Sequence, residues 1–257
     1  MPPPTISLIV ITKDEETLIG QCLASASFCD ELIVVDSFST DRTTAIARDH
    51  GAKVLQHAFG GYVAQKQYAL ERATSDWVLS LDADEQATQE LGEEIVKVVG
   101  SSALVCGYEI RRILYHLDHY FTGGAYPDWH LRLFRRDKTC FGGREPHAKA
   151  LVAGRTARLK SPILHFSYRD VADHIETMNR LTDRSASEAE PTAMVPLKMI
   201  ANPLWRFVNF YFLRGGFRDG APGLYAAMAA SFYVFLKYAK LYERRLRSRL
   251  LSERISG

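Results

Sequence analysis

The chain has 257 residues, 47% hydrophobic and 24% charged, which suffices for one large domain or two small ones with a substantial core. A net charge of +2 speaks against a dedicated nucleic-acid binder, so no nucleic-acid partner is expected. The balance hides a local excess: Lys237, Lys240, Arg244, Arg245, Arg247, Arg249 and Arg254 face only Glu243 and Glu253 near the C-terminus.

Met1-Pro2-Pro3-Pro4 has neither a basic nor an apolar region of the secretory kind and reads as a short frayed arm. Ile6–Ile11 is a β-branched run suited to a strand buried on both faces. Leu18–Ala26 carries apolar residues at helical spacing, and Leu32–Val35 is a second buried strand. Ser39-Thr40-Asp41 offers N-cap chemistry for a helix reaching about His50, closed by Gly51. Lys53–Leu55, Val63–Ala73, Trp77–Leu81 and Leu91–Val99 continue as strand, helix, strand and helix. Such alternation predicts an α/β fold, a mostly parallel sheet with helices on both faces. Cys22, Cys29, Cys106 and Cys140 form no C-x-x-C pair and no zinc spacing, and read as reduced, mostly buried thiols.

Ligands of parallel sheets bind beyond the carboxyl ends of the strands. Here those ends are Thr12-Lys13-Asp14-Glu15, Asp36-Ser37 and Asp82-Ala83-Asp84-Glu85, and all three are acidic. Acids there can cap the following helices, but carboxylates one residue apart at a strand end also suit a hard divalent cation that takes its other ligands from phosphate. From residue 106 the pattern changes. Tyr108–Tyr115, Leu131–Arg135 and Leu159–Phe166 read as strands, separated by the aromatic loop 120–129 and the Gly-rich turn 141–147. Arg132, Arg135 and Arg136 form a basic strand end that either holds a phosphate or faces solvent. His116-x-x-His119 has metal-like spacing in an extended context, which speaks against a second metal site. The rest is helical: Val171 to about Glu188, Leu197–Leu213 and Leu224–Arg249. Leu224–Tyr238 is shorter than the ~20 apolar residues of a membrane span. Trp205, Phe207, Phe210, Tyr211 and Phe212 alternate with Arg206 and Arg214, a pattern shared by helix-packing cores and by helices lying on anionic bilayers.

Ser7–Asp14, Val34–Thr43, Tyr62–Ala73, Asp76–Glu85, Asp128–Arg136, Pro146-His147, His165–Tyr168 and Phe217–Gly223 together resemble a family 2 glycosyltransferase of the GT-A (Rossmann-like) fold, over nearly the whole chain. Within that family the likeness is greatest to bacterial lipopolysaccharide-core transferases of the heptose glucosyltransferase type. The resemblance implies an inverting, metal-dependent transfer of a sugar, glucose from a UDP-sugar, onto a lipopolysaccharide inner-core or other lipid-linked acceptor. It implies Mn²⁺ or Mg²⁺ as cofactor, with Asp84 as a ligand joined by Asp82 and His165. It also implies nucleotide-sugar contacts from Thr12, Asp14, Asp36, Lys66, Asp82 and Ala83, with a lone helical Lys66 equally readable as solvated. Gln67 stands where the family pattern usually has Asn.

A general base for the acceptor hydroxyl falls first on Asp128, beside Tyr126 and Trp129, and second on Glu145. Ala148 replaces an acid that relatives often carry after the Pro-His pair. The implied organisation is a nucleotide-sugar half (1–105), an acceptor half (106–169) and a helical region (170–257). The last would attach peripherally to the cytoplasmic face of the inner membrane through an anionic surface. A sugar nucleotidyltransferase would need a Gly-rich loop after the first strand, which Ile11–Glu15 lacks. A catalytically inactive relative acting as a membrane-docked module stays open at this level.

Overall fold

The computed structural model describes residues 3–101, 104–124, 128–145, 147–189 and 194–255. Tyr126, Pro146 and the Met1-Pro2 end lie outside them, as do the side chains of Arg249, Glu253 and Arg254. In chain order the first elements are β1 (Ile6–Thr12), α1 (Ile19–Ser25), β2 (Glu31–Asp36), α2 (Thr43–Asp49), β3 (Lys53–Gln56) and α3 (Tyr62–Arg72). Then come β4 (Trp77–Asp82), β5 (Glu85–Ala87), α4 (Gln89–Ser101), β6 (Val105–His116), β7 (His119–Tyr120) and β8 (Asp128–Arg135). β9 (Thr139–Arg144), β10 (His147–Val152), β11 (Arg155–Arg158) and β12 (Ile163–His165) follow. Helices α5 (Val171–Ser187), α6 (Val195–Val208) and α7 (Gly220–Ile255) complete the chain. Two compact units result: 1–113 with 128–166, and 114–127 with 167–257.

In the first unit β3, β2, β1 and β4 are neighbours and all parallel, with Thr12 beside Asp36 and Ile11 beside Asp82. The α/β expectation therefore holds, and it has the predicted consequence that the acidic strand ends share one edge. Strand alternation sends Leu8 and Val10 to one face, where they pack with Ile19, Leu23, Leu91 and Ile95. Ile9 goes to the other face, with Val78, Phe134, Ala69 and Leu70. Each such fully buried large side chain contributes about 1.5–3 kcal/mol.

β8 runs antiparallel to β4 and to β6. The segment 141–147, expected as a turn, instead contributes to both strands of an antiparallel hairpin, β9 with β10. The hairpin is tied to α3: the Phe141 amide donates to Gln67 Oε1 at 2.9 Å. The strand expected over 159–166 is confined to Ile163–His165, paired with β5. Cys140 is exposed, against the expectation of burial for most thiols, while Cys22 is fully buried.

In the second unit the end of β6 pairs with β7, setting His116 beside His119. Asp219, buried ahead of α7, accepts hydrogen bonds from the Thr122 and Gly123 amides and the Thr122 hydroxyl, and lies 3.2 Å from His119 Nε2. Gly223 admits the backbone carbonyl of Gly216 so closely that no side chain fits there. α5 and α6 both pack on α7. His174 on α5 stacks on Tyr168 with ring centroids 3.9 Å apart, meets His116 edge-on and lies 2.8 Å from Tyr225 Oη through Nδ1.

Burial, aided by the nearby His116, pushes His174 down to about 4, with Asp173 pulling weakly the other way. Between that value and the ordinary ~6.5 the unfolded chain binds more protons than the native one. Stability should therefore fall as pH drops from about 6.5 towards 4. Thermal melts of His174→Phe across this range should show a shallower decline than those of the parent chain.

Candidate active site

The turn after β4 is built around Glu85, which is fully buried. One of its oxygens accepts from the Asp82 amide at 3.0 Å; the other meets Arg132 at 2.5 Å and Arg112 at 3.2 Å. Arg132 continues to Asp82 at 2.8 Å, and Lys66 reaches the other Asp82 oxygen at 2.7 Å. Arg112 continues to Asp128 at 3.0 Å, and Asp128 lies 2.7 Å from His130 Nε2. The result is a chain of alternating charge, Lys66–Asp82–Arg132–Glu85–Arg112–Asp128–His130, with three carboxylates matched by three permanent cations.

Burial would raise the Asp82 carboxyl, but Arg132 and Lys66 hold it well below the usual range. Burial likewise opposes the Asp128 carboxylate, and hydrogen bonds from His130 and Arg112 outweigh it, leaving that group far below an ordinary aspartate. Asp82 and Glu85 more than offset burial at Arg132 and keep it firmly charged. At Cys22, whose thiol lies 3.5 Å from the Asp82 carbonyl, burial and then the acids raise the pKa well above normal, so it is an inert neighbour.

Lys66, Asp82, Arg112, His130 and Arg132 of this chain of charges line a cleft of about 810 Å³, together with Trp129. Trp129 is partly exposed, with the Arg158 guanidinium 4.6 Å from its ring centroid.

The remaining sequence-predicted residues separate into distinct settings. Thr12 and Asp36 are adjacent strand ends; Asp36 is fully buried and accepts from the Ser39 amide and hydroxyl. Asp14, at φ 54°, accepts from the Thr40 amide at 2.7 Å. Ala83 is buried in the turn. Asp84 lies 3.0 Å from His165 Nε2, and its carbonyl accepts from the Phe166 amide. Glu145 stands apart from this chain of charges. Its two oxygens accept from the Tyr62 and Val63 amides, both at 2.9 Å, at the N-terminus of α3, where a carboxylate is favoured. Gly61, at φ 109°, admits it: a Cβ there would lie 2.7 Å from Glu145 Oε1.

Two expectations are corrected. Lys66 is not a solvated helix residue but is buried on Asp82. Arg132 neither faces solvent nor stands free for a phosphate, being buried between Asp82 and Glu85. Arg136 donates to the Ser75 carbonyl and Arg135 lies over Trp77, so the three arginines do not act together. Arg112, His130 and the buried role of Glu85 carry no local mark in the sequence. The available signal is the alternation at the start of β8, which puts Asp128 and His130 on one face, opposite Arg112 and Ile110.

Among the described residues no three His, Cys, Asp or Glu side chains form a protein-only metal cage. Asp84 and His165 supply one carboxylate and one imidazole. That donor set fits a small divalent ion whose other ligands are water and substrate phosphate.

The model of the family described as "Glycosyl transferase family 2" matches residues 7–152. The chain belongs to glycosyl transferase family 2. Among similar proteins, the lipopolysaccharide core biosynthesis glycosyltransferase LpsC of Rhizobium meliloti is 28% identical over 95% of this chain and 94% of its own length. An uncharacterized glycosyltransferase of Rickettsia typhi is 30% identical over 95% of this chain and 89% of its own. Among solved structures, S. aureus TarS (1–349) aligns with 93% of this transferase and 91% of that chain at 17% identity and a TM-score of 0.47. Together with the sheet order, the family makes this chain a glycosyltransferase whose fold is the expected α/β one.

Removing one member of a buried ion pair strands the other and costs about 3–5 kcal/mol. Arg132→Met in this transferase should lose stability on that scale in urea titrations, and substantially more than Arg135→Met.

Proposed function

We propose that this transferase moves a sugar, glucose from a UDP-sugar, onto a lipopolysaccharide inner-core or other lipid-linked saccharide with inversion at the anomeric carbon. The observation carrying this reading is a cleft lined by Lys66, Asp82, Arg112, His130 and Arg132, which one chain of ion pairs through Glu85 and Asp128 holds together. The name of the Rhizobium meliloti relative supports the acceptor class. In this reading Thr12, Asp14 and Asp36 line the nucleoside at the edge of β1 and β2. Asp82, Ala83 and Lys66 border the ribose and diphosphate.

A divalent ion, Mn²⁺ or Mg²⁺, would be held by Asp84 with His165 and Asp82 beside it, and would supply charge neutralisation for the departing diphosphate. Lys66 and Arg132 are already neutralised by Asp82 and Glu85, so these two offer little spare positive charge for that diphosphate. Isothermal titration with UDP should show binding that requires Mn²⁺ and is weakened at least about tenfold by Asp84→Asn. UDP binding of equal strength without metal would overturn the metal assignment.

Asp128 takes the acceptor proton, oriented by Arg112 and His130. Glu145 positions the start of α3. A base must be ionised and within hydrogen-bond reach of the hydroxyl, and it accepts a proton more readily the nearer its pKa lies to the working pH. Because Asp128 is held far below the usual carboxylate range, the acid limb it imposes on kcat/KM should lie below pH ~4. Arg112→Gln removes a cation, raises that pKa and should move the limb upward. Asp128→Asn should abolish turnover, whereas Glu145→Gln should retain it with lowered thermal stability. An acid limb near pH ~6.5 that disappears in His130→Gln would transfer the base role to His130.

A further inference from the structure

The helices of the second unit carry their large apolar side chains on the outside. On α6, Leu197, Ile200, Leu204 and Val208 recur at intervals of three or four and are exposed, with Ile200 and Leu204 each at 64% and the neighbouring Trp205 at 62%. On α7, Leu224, Met228, Phe232 and Phe235 repeat the pattern and are also exposed. Phe212 and Leu213, in the π-helical turn after α6, extend the apolar surface. A folded monomer seldom shows so many large apolar side chains at helical spacing to water without a partner for them.

Charge identifies the partner. From Met194 to Tyr242 the only acid is Asp219, which is buried and engaged by Thr122, Gly123 and His119. The same span carries Lys198, Arg206, Arg214, Arg218, Lys237 and Lys240. Lys240 pairs with Asp183, but no described carboxylate forms an ion pair with Lys198, Arg206, Arg214 or Lys237. A second copy docking through this face would bring its cations against their own kind, since a two-fold interface uses the same patch on both sides. An anionic bilayer meets both features at once, with acyl chains for the apolar stripes and phosphate headgroups for the cations.

We propose that the exposed apolar stripes of α6 and α7, flanked by Lys198, Arg206, Arg214 and Lys237, are a docking surface for an anionic lipid bilayer. The helices lie in the headgroup layer rather than crossing it; among the described residues no helix is long and apolar enough to span a membrane. The proposal stands on the second unit alone and does not require the donor or acceptor assigned above.

The test is flotation of the purified full-length chain with phosphatidylcholine vesicles, with and without phosphatidylglycerol. Binding should require phosphatidylglycerol and weaken as salt is raised. The triple variant Leu197→Gln/Ile200→Gln/Leu204→Gln changes only exposed positions and should lower partitioning at least about tenfold at an unchanged melting temperature. Lys198→Gln/Arg206→Gln/Arg214→Gln should lower it comparably on anionic vesicles. Brominated lipids should quench tryptophan emission in the parent chain and not in Trp205→Phe. Failure of the parent chain to float with phosphatidylglycerol vesicles would overturn the proposal. So would undiminished binding by both triple variants, or a dimer that the apolar triple dissociates while vesicles bind neither form, which would assign the face to a second copy.

Discussion

Glu85 is the residue on which the geometry of the cleft depends. A fully buried carboxylate is tolerable only when its oxygens are satisfied by donors and its charge is met. Here both conditions are fulfilled by groups from three strands: the Asp82 amide at the end of β4, Arg132 on β8 and Arg112 on β6. The Asp82 amide contact closes the turn, and so fixes where the Asp82 side chain leaves the strand. The two arginines then carry the constraint outward, one to the Asp82 carboxylate and the other to Asp128. Relaxing either arginine would leave part of the Glu85 charge unmet in a place without water. The chain of charge therefore behaves as one unit rather than as separate salt bridges. Its contribution lies in position more than in net stability, because desolvation of so many ions offsets much of their attraction.

That arrangement depends on an irregularity. β6 and β8 pair with a register shift between Tyr108 and Glu109, so that Glu109 sits opposite Leu131 rather than Arg132. Without the shift, Arg112 would oppose Trp129, and its guanidinium would lie on the wrong face of the sheet for Asp128. With it, Arg112 faces Asp128 directly. β-bulges commonly re-aim side chains beside functional sites. This one brings Arg112 and Asp128 of two otherwise ordinary antiparallel strands onto one face beside the cleft. The same shift leaves Arg132 without an opposite residue on β6, while His130 stays in the row of Asp128.

The parts of this architecture legible in the sequence are those governed by local pattern. β1, β2, β4 and their helices follow from β-branched runs and helical spacing, and the parallel order follows from their alternation. The acidic strand ends are legible for the same reason, since each sits where a recognisable strand stops. Arg132 is not, because nothing local distinguishes an arginine buried on two carboxylates from one facing water; the distinction is made by residues about fifty positions away. The contact of Glu145 with the N-terminus of α3 is illegible for a similar reason, since a carboxylate near a Gly-rich segment has no local mark of amides more than eighty positions away. The hairpin β9–β10 escapes the local pattern because Gly142 and Gly143 lower strand propensity, while the pairing that overrides them is tertiary.

The second unit follows the usual amphipathic rule only in part. In a water-soluble bundle the apolar stripe of each helix faces its neighbour. Here much of what joins α5, α6 and α7 is polar. Asn202 donates to the Tyr238 hydroxyl, Ser231 donates to the Pro203 carbonyl, Ser185 and Tyr233 share a hydrogen bond, and Lys240 binds Asn179 and Asp183. Small Ala227 and the buried Met178 and Leu241 complete the seams, whereas Leu204, Trp205, Met228 and Phe232 remain outside. Hydrogen bonds across the seams keep the helices in register without drawing the largest apolar side chains inward. Those side chains stay available to an external apolar phase, and the cations that accompany them give that phase a preferred sign.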